Sequence, residues 1–359
     1  MEKMTFKYLD TSSLSHIGHS GVENVVSHLE AASSKHGFVN VVWDGTINSY
    51  RLAASNEVVS FENSAILLIP DIPRISARIE FLLKCASNNP NLKMSLLVHD
   101  LLPLTNPEFF PEHAVNEFAD FLSLFAYSHT VGSVSQETLL EVELFLQSKG
   151  LEKVLRCWRL PYPLADKKSI QATQSKLTSS DQLRVLVLGN IEPRKNLEFI
   201  FKNLNALTSE FRRLRLDFVG AHQWGTPNFE DQVQSGREQG VDIRIHKNLS
   251  QFKLDILWLE THLLIYPSFK EGFGLPIVEA VYRGIPVLAN QSLPSSKLIQ
   301  NHPLFVGFDL MKVNDFQNKL ARAFQLCHPT DPMQVVEGAI KQKQDWVSWA
   351  QQVLDELKA

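Results

Sequence analysis

The sequence predicts an α/β protein made of two doubly wound, Rossmann-like domains with parallel sheets. Its 359 residues correspond, as a prior, to two domains. Short, continuously apolar runs alternate with helical patterns, which is typical of a parallel sheet that helices cover on both faces. A polar segment at 166–182 interrupts this alternation, which restarts directly afterwards. We therefore expect domains at 1–165 and 183–338, joined by a linker at 166–182.

In the first domain, helix and strand patterns follow one another closely. A helix is expected to begin at Ser20, which forms a Ser-x-x-Glu capping box with Glu23, and to end near Gly37. Apolar runs of strand length then occur at 39–43, 64–70, 94–99 and 130–135. Ligands of such folds bind outside the carboxyl ends of the strands, and in a pair of such domains the cleft between them is the expected site.

The second domain begins with the buried strand pattern RVLVLG at 184–189, followed by a helix that starts at Leu197 with Asn196 as its N-cap. The runs HLLIYPS, PIVEAVYR and IPVLAN then predict a strand, a helix and another strand. The tail at 339–359 is predicted to be a helix that crosses back to the first domain.

The composition excludes several functional classes. Apolar residues make up 44% of the chain and charged residues 21%, as in an ordinary soluble protein. A formal net charge of -4 argues against a general nucleic-acid binder, because such proteins carry a basic face. Cys85, Cys157 and Cys327 are odd in number and far apart, which argues against a disulfide framework and a cysteine zinc site. Because signal-peptide and membrane-spanning patterns are also missing, we expect a cytoplasmic protein.

Two carboxylates flank a glycine-rich turn in SFKEGFGLPIVEAVYRGIPVLAN at 268–290. Glu271 lies in the loop at the carboxyl end of a predicted strand, and Glu279 lies in the first turns of the next helix. Free N–H groups at a helix start bind anions, and carboxylates there accept hydrogen bonds from sugar or ribose hydroxyls. The alternative is that Glu279 only complements the helix dipole.

Two cations occupy the corresponding loop of the first strand, GNIEPRKNLEF at 189–199. Arg194 and Lys195 stand just before a predicted helix N-terminus, where the dipole is already positive. A bound anion would resolve that conflict, and an arginine fork with a lysine point charge suits a diphosphate. Ordinary solvated surface charge is the alternative interpretation.

Together these blocks resemble glycosyltransferase family 4, whose members are retaining enzymes of GT-B fold, with two Rossmann-like domains facing across a cleft. The stretch from Glu271 to Glu279 resembles the E-x7-E signature of that family. GNIEPRKN resembles its donor-phosphate loop. The similarity continues in VHDLLPLTNPEFF at 98–110 and HSGVENVVSHL at 19–29, and so covers nearly the whole chain. Where relatives often have Leu-Pro-Glu, this chain has Ser295 in place of the acid.

The resemblance implies roles for individual residues. Arg194 and Lys195 would hold the diphosphate of a sugar nucleotide, Glu279 would bind the ribose hydroxyls, and Glu271 would contact the donor sugar. Whether Glu271 also acts as a nucleophile stays open. Backbone N–H groups for the phosphate or sugar would come from Gly272, Phe273, Gly274 and Leu275.

The first domain would contribute two further features. Gly18 and Gly21 would let it approach the diphosphate, and His99 would face the reaction from the acceptor side. The alternative for His99 is a hydrogen-bonded core histidine. No Asp-x-Asp occurs in the sequence, so the resemblance implies a metal-independent hexosyltransferase without a cofactor, in which Arg194 and Lys195 neutralise the leaving diphosphate.

The sequence variants resemble most closely bacterial surface-polysaccharide mannosyl- and rhamnosyltransferases. The implied donors are GDP-mannose or dTDP-rhamnose, and the implied acceptor is a glycan or lipid-linked glycan in polysaccharide or O-antigen biosynthesis. Peripheral contact with the inner membrane would follow. The candidate basic contacts are Lys167, Lys168, Arg212, Arg213 and Arg215, with solvated surface residues as the alternative.

Three other hypotheses about the function remain open from the sequence alone. One is a non-catalytic scaffold or subunit of a glycosyltransferase complex, which would not need the two acids and two cations. Another is a different two-domain enzyme, such as a nucleotide-sugar epimerase or a phosphorylase. A nicotinamide dehydrogenase is the weakest, because no Gly-x-Gly-x-x-Gly follows either first strand. The sugar, the acceptor, the linkage and the oligomeric state are not determined.

Overall fold

The computed structural model describes residues 5–15, 21–161, 182–210, 213–221, 224–226, 228–327 and 345–358. The described chain divides into two compact units. The first contains the residues up to Pro161 together with the C-terminal helix, and the second contains the described residues between 182 and 327. The predicted linker at 166–182 lies outside the described residues except for Gln182.

The sheet of the first unit has seven strands within the described residues, in the order β3-β2-β1-β4-β5-β6-β7. Neighbouring strands are parallel except for the antiparallel hairpin of β2 and β3, which the sequence did not predict. β4 is buried at all five residues, which explains its unbroken apolar run. Strands β1 to β7 are Phe6–Asp10, Val39–Asp44, Ser49–Leu52, Ala65–Ile69, Leu92–Val98, Ser128–Ser133 and Val154–Cys157.

The helices of this unit agree in part with the sequence patterns. The predicted start of the first helix at Ser20 lies outside the described residues, and its end is followed by the left-handed Gly37 (φ 74°), as expected. The last strand, predicted at 130–135, lies two residues earlier, at Ser128–Ser133. Ser135 is instead the N-cap of α6, and its Oγ accepts from Thr138 N. Helices α1 to α6 are Gly21–Ser33, Ser76–Asn88, Leu102–Thr105, Glu112–Leu122, Leu124–Tyr127 and Gln136–Ser148.

The second unit contains six parallel strands among its described residues, in the order β10-β9-β8-β11-β12-β13. This is the 3-2-1-4-5-6 order of a dinucleotide-binding fold, and its topological switch point lies between β8 and β11. Loops that leave these two strands at their carboxyl ends therefore meet at one edge of the sheet. Strands β8 to β13 are Leu183–Leu188, Leu214–Val219, Asp242–His246, Leu263–Tyr266, Val287–Asn290 and Phe305–Phe308.

The first helical segment of the second unit is divided in two. Leu197, Ile200, Leu204 and Leu207, which are spaced as on one helix face, are all buried in one core. The helix is nevertheless interrupted, because α7 ends at Lys202 and α8 begins at Leu204. Asn203 lies between them, with its Oδ1 accepting a hydrogen bond from Gln317. Helices α7 to α13 are Glu198–Lys202, Leu204–Glu210, Phe229–Glu238, Gln251–Glu260, Leu275–Tyr282, Pro294–Leu298 and Asp315–Cys327.

The C-terminal helix α14 (Trp346–Glu356) packs within the first unit. Trp158 Nε1 donates to Glu356 Oε2 at 2.8 Å, and Trp349 Nε1 donates to the backbone oxygen of Trp158 at 3.1 Å. Gly132 of β6 leaves space for the Trp158 ring, because a Cβ at that position would lie 2.1 Å from it. Two indoles therefore hold α14 against the end of the seven-stranded sheet.

Candidate active site

The loop that follows β8, residues 189–196, is called the cation loop below. Gly189 has a φ of 138°, and a Cβ there would lie 2.9 Å from Cε of Lys195. Glycine at this point therefore lets the lysine side chain fold back over the end of the strand. A short 3-10 turn, Pro193–Lys195, carries both cations.

Asn196 does not cap the following helix, so that prediction was wrong. It lies in the left-handed region at φ 54° and ends the 3-10 turn, with its N–H bonded to Pro193 O. Its side-chain Nδ2 donates to Pro267 O at 3.1 Å, while α7 begins two residues later at Glu198. An asparagine tolerates this conformation better than most residues, and here it fastens the cation loop to the end of β11.

The loop that follows β11, residues 267–274, is called the carboxylate loop. Phe269 N donates to Arg194 O at 2.8 Å, which joins it to the cation loop. It ends at Gly274, the N-cap of α11, with φ 95°, and a Cβ there would lie 2.6 Å from Ser295 Oγ. Pro276 lies in the first turn of α11, and Gly284 follows the end of the helix in a left-handed conformation.

The two loops bring the predicted cations onto one predicted carboxylate. Arg194 Nη1 donates to Glu271 Oε2 at 2.5 Å, and Lys195 Nζ donates to Glu271 Oε1 at 2.5 Å. Arg194 Nη2 also pairs with Glu192 Oε1 at 2.7 Å. The side chains of Lys195 and Glu271 are each only 8% exposed. In this structure the anions that balance the cations next to the helix start are therefore carboxylates of the protein itself.

The protonation states follow from this arrangement. Burial alone would raise the pKa of Glu271, but the charges of Arg194 and Lys195 outweigh burial and hold that pKa at about 2. Burial and the charge of Arg194 lower the pKa of Lys195, while Glu271 and Glu192 oppose that shift. Glu271 is therefore ionised at neutral pH and cannot act as a general acid in this state.

Tyr266 is a member of the cluster that sequence reasoning missed. It is the last residue of β11, is 2% exposed, and its hydroxyl lies 2.9 Å from both Lys195 Nζ and Glu271 Oε1. Burial raises its pKa well above the ordinary value, so the phenol stays protonated. The available signal was its place at the carboxyl end of an otherwise apolar strand, five residues before Glu271.

Glu279 lies in the second turn of α11 and is half-buried. Burial raises its pKa, the charge of Arg283 opposes this, and Asp255 reinforces it. Arg283 itself pairs with Asp255 at 3.0 Å. The described contacts thus place Glu279 beside a second charged pair and not in the cluster around Glu271.

The four backbone positions predicted to donate to a phosphate or sugar lie at the junction of the carboxylate loop and α11. Phe273 is buried and its oxygen accepts from Ser295 N at 3.0 Å. Because α11 begins at Leu275, the N–H of Leu275 belongs to the first turn, where donors lack a partner within the helix. Gly274 lies in the left-handed region, which favours glycine. The role of Gly272, Phe273, Gly274 and Leu275 as donors stays a prediction.

In the first unit, the predicted site residues lie at the carboxyl edge of the sheet where they are described. Gly18 lies outside the described residues, and Gly21 is the exposed first residue of α1. His99 follows β5, is buried, and its Nε2 donates to Pro70 O at 2.7 Å. Burial lowers its pKa, so the ring is neutral with Nδ1 as its acceptor nitrogen. This hydrogen bond is the one expected for the core-histidine alternative.

A buried charged network next to His99 was also missed by sequence reasoning. Arg78 bridges Asp10, the last residue of β1, at 2.5 Å and Asp71, which follows β4, at 2.8 Å. Tyr50 donates to Asp10 Oδ2 at 2.5 Å and accepts from Arg78 Nε at 2.8 Å. Asp10 ends β1 and Asp71 follows β4, and these two strands are neighbours in the sheet. The sequence therefore did contain a signal for this pair, an aspartate at the carboxyl end of each strand.

The basic residues proposed for lipid contact divide into two groups. Lys167, Lys168 and Arg212 lie outside the described residues. Arg213 is exposed, but Arg215 is buried and pairs with Asp217 at 2.7 Å, which contradicts a lipid contact by Arg215. Its place inside β9, facing a carboxylate two residues away, explains the burial.

Neither a bilayer-spanning helix nor a metal-binding cluster is found in the parts of the chain that the structure covers. Each described helix is too short or too polar to cross a membrane. The same residues contain no group of three or more His, Cys, Asp and Glu side chains that could hold a metal ion. Metal independence stays a prediction.

One protein-family model matches most of the second unit. Residues 169–324 match the family model described as Glycosyl transferases group 1. The match contains the cation loop, the carboxylate loop and Glu279.

Two curated relatives from Escherichia coli are similar to the chain. O-antigen chain mannosyltransferase B is 29% identical over 206 residues, which are 55% of this chain and 53% of that protein. Serotype-specific mannosyltransferase WbdA is 22% identical over 324 residues, which are 83% of this chain and 37% of that protein. The chain thus spans about half of the first relative and about a third of the second.

Solved structures resemble the whole chain. HepE from Anabaena, solved with UDP and glucose, has a TM-score of 0.66 at 14% identity and covers 100% of both chains. Sucrose-phosphate synthase from Thermosynechococcus elongatus has a TM-score of 0.62 at 13% identity, covering 99% of this chain and 95% of its own. At such identities the likeness establishes the fold, which is GT-B.

Proposed function

Because residues 169–324 form a glycosyl transferases group 1 domain and the chain has the GT-B fold, we propose that it transfers a hexosyl residue from a nucleoside-diphosphate sugar to a glycan or lipid-linked glycan. The observation that carries the proposal is the cluster of Arg194, Lys195 and Glu271 at the switch point between β8 and β11. Ligands of this fold class bind at that point.

The cluster suits a diphosphate because it concentrates positive charge in a largely buried place. A hydrogen bond to a charged group contributes roughly 1.5–3 kcal/mol, so two cations supply several kcal/mol if they act on the charge that develops as the diphosphate leaves. Arg194 offers a planar fork and Lys195 a point charge. We propose that they replace a metal ion in this task.

The donor diphosphate has to compete with Glu271 for these cations. Both oxygens of the Glu271 carboxylate accept hydrogen bonds from these cations. Binding of a more highly charged diphosphate would release this carboxylate toward the donor sugar, whose hydroxyls it can accept. Glu279, farther along α11, is proposed to bind the ribose, and the first turn of α11 is proposed to donate N–H groups.

The proposed reaction proceeds with retention. The acceptor attacks from the face that the diphosphate leaves, and a phosphate oxygen takes the acceptor proton. His99 has its Nε2 committed to Pro70 O, so any contact with the acceptor is made through Nδ1. Mannose from GDP-mannose or rhamnose from dTDP-rhamnose is the proposed donor, supported by the names of the similar O-antigen mannosyltransferases.

A thermal-shift panel with GDP, UDP, dTDP and ADP tests the proposal first. A ligand at 100 times its dissociation constant stabilises by about 2.7 kcal/mol, which corresponds to an increase in Tm of roughly 5–10 °C for a chain of this size. One responding nucleotide selects the donor sugars for a transfer assay. No response to any of the four contradicts the proposed function and favours the scaffold alternative.

An assay of the donor without any acceptor distinguishes the remaining enzyme classes. An epimerase converts the nucleotide sugar by itself, whereas a transferase needs an acceptor glycan to release the nucleoside diphosphate. Conversion of the donor sugar alone would contradict transfer.

A further inference from the structure

The hydroxyl group of Tyr266 lies between two groups of the candidate active site. It accepts a hydrogen bond from Lys195 Nζ at 2.9 Å and donates one to Glu271 Oε1 at 2.9 Å. The Lys195 ammonium also lies 5.2 Å from the centroid of the Tyr266 ring. Three polar atoms, one from each of the two loops and one from β11, therefore form a closed triangle with sides of 2.5, 2.9 and 2.9 Å.

The direction of each hydrogen bond follows from the number of protons. An ammonium has only donors and a carboxylate only acceptors, so a protonated phenol must accept from Lys195 and donate to Glu271. A buried tyrosine needs a partner for its hydroxyl, and any backbone oxygen could supply one. Here both partners are residues that the proposed function assigns to the donor substrate.

We propose that Tyr266 is a positioning residue that holds the Lys195 ammonium in place before and after the donor diphosphate replaces Glu271. The inference rests on the proposed function for the identity of that anion. The hydroxyl is well suited to the task, because it stands on the last residue of a buried strand and its ring is 2% exposed. When Glu271 leaves, the Tyr266 hydroxyl can donate its hydrogen bond to the anion that arrives.

The contact with Tyr266 should also bear on the charge of Lys195. Lys195 is faced by Arg194 and Glu192 from its own loop, by Glu271 from the carboxylate loop and by Tyr266 from β11. Burial and Arg194 lower the pKa of Lys195. The hydrogen bond that the ammonium donates to the Tyr266 oxygen at 2.9 Å is one that only the charged lysine makes with a protonated phenol, so we expect it to favour the charged form. Removing the oxygen should therefore lower the pKa of Lys195 further, and the alkaline limit of diphosphate binding should move to lower pH.

The substitution Tyr266→Phe tests this, because it keeps the ring and removes only the hydroxyl. Lysine labelled with ¹³C at Cε reports the titration of Lys195 by NMR, with the signal assigned by its loss in Lys195→Arg. Isothermal titration with the nucleoside diphosphate selected by the thermal-shift panel gives affinity against pH. We expect Lys195 to titrate at lower pH, and affinity at neutral pH to fall about three- to tenfold, as for one lost hydrogen bond.

Tyr50→Phe is the matched control. Tyr50 is as deeply buried, and its hydroxyl likewise lies between a carboxylate, Asp10, and a cation, Arg78, but in the first unit. It should lower thermal stability to a similar extent and leave the titration of Lys195 unchanged. A general effect of losing a buried hydroxyl would appear in both variants.

The outcomes separate this inference from the proposed function. An unchanged Lys195 titration in folded Tyr266→Phe overturns the positioning role, whatever the wild-type protein binds. A shifted Lys195 titration in Tyr266→Phe supports both the inference and the proposed function when the wild-type protein binds a nucleoside diphosphate. A shifted titration in a protein that binds no nucleoside diphosphate supports the contact between Tyr266 and Lys195 and overturns the proposed function.

Discussion

Replacing Glu271 by glutamine should tighten the binding of a nucleoside diphosphate and at the same time remove most of the sugar transfer. In the structure both carboxylate oxygens are bound by Arg194 and Lys195. A diphosphate that binds these cations must displace the carboxylate first. Glutamine has the same shape and lacks the charge, so it competes less, but it cannot serve the donor sugar as a carboxylate.

The magnitude follows from the pKa of Glu271. It is lowered from 4.5 to about 2, and one unit corresponds to about 1.36 kcal/mol, so the site favours the ionised carboxylate by roughly 3 kcal/mol. Glutamine retains a neutral hydrogen bond, which leaves about 1.5–3 kcal/mol released to the incoming diphosphate. Since every 1.4 kcal/mol is about a tenfold change, we expect affinity to rise between about tenfold and a hundredfold.

Isothermal titration of both proteins with the selected nucleoside diphosphate, without sugar, measures this directly. Glu279→Gln makes the same change eight residues later, outside the cluster and at the carboxylate proposed to bind the ribose, so it should weaken binding and not tighten it. An affinity of folded Glu271→Gln that is equal to or weaker than wild type would refute the competition between carboxylate and diphosphate. Near-normal transfer by this variant would refute the role of Glu271 at the sugar.

Three further outcomes are expected. Arg194→Ala combined with Lys195→Ala should weaken nucleoside-diphosphate affinity at least about a hundredfold, since two charged hydrogen bonds are lost; an unchanged dissociation constant in calorimetry would remove the phosphate assignment. The lowered pKa of Glu271 means that its pairing stabilises the fold fully above about pH 4.5, the ordinary value, and that this stability is lost as pH falls toward about 2. Urea unfolding should therefore show a difference between wild type and Glu271→Gln that shrinks with acid, and a pH-independent difference contradicts the pairing. Gly274→Ala should destabilise by about 1–3 kcal/mol, because it strains a left-handed residue and places Cβ against Ser295 Oγ; adding Ser295→Gly should recover part of the loss of Tm, and no recovery would exclude the contact with Ser295.

The sequence was sufficient to predict that the two motifs would meet. RVLVLG and HLLIYPS are predicted to be strands, and the family resemblance assigns the residues after each strand to one donor site. In the structure those strands are β8 and β11, which are adjacent at the switch point of the sheet. Loops at the carboxyl ends of adjacent parallel strands share one edge, so the convergence of Lys195 and Glu271 follows from the strand order alone.

The local backbone around the motifs could not be predicted in the same way. Asparagine is a residue type that favours the N-cap position, but Asn196 lies in a left-handed turn. Its side-chain amide donates a hydrogen bond to Pro267 O, 71 positions away. Tyr266 looked like one more apolar strand residue, since the pattern does not reveal where a hydroxyl points. Both errors arise from contacts between segments that are distant in sequence, which propensity does not encode.

The pairing of Glu271 with the cations links the stability of the site to its affinity for the donor. The side chain of Lys195 is 8% exposed and that of its neighbour Arg194 is 18% exposed, so both require a counter-charge, because an unpaired buried charge costs several kcal/mol. A carboxylate that could not be displaced would supply this counter-charge, but it would keep a diphosphate away from the cations. The Glu271 carboxylate, in contrast, can pair with the cations and then be displaced from them by a diphosphate. Glu271 is therefore expected to contribute twice, to stability while it pairs with the cations and to the donor sugar once the diphosphate has taken its place.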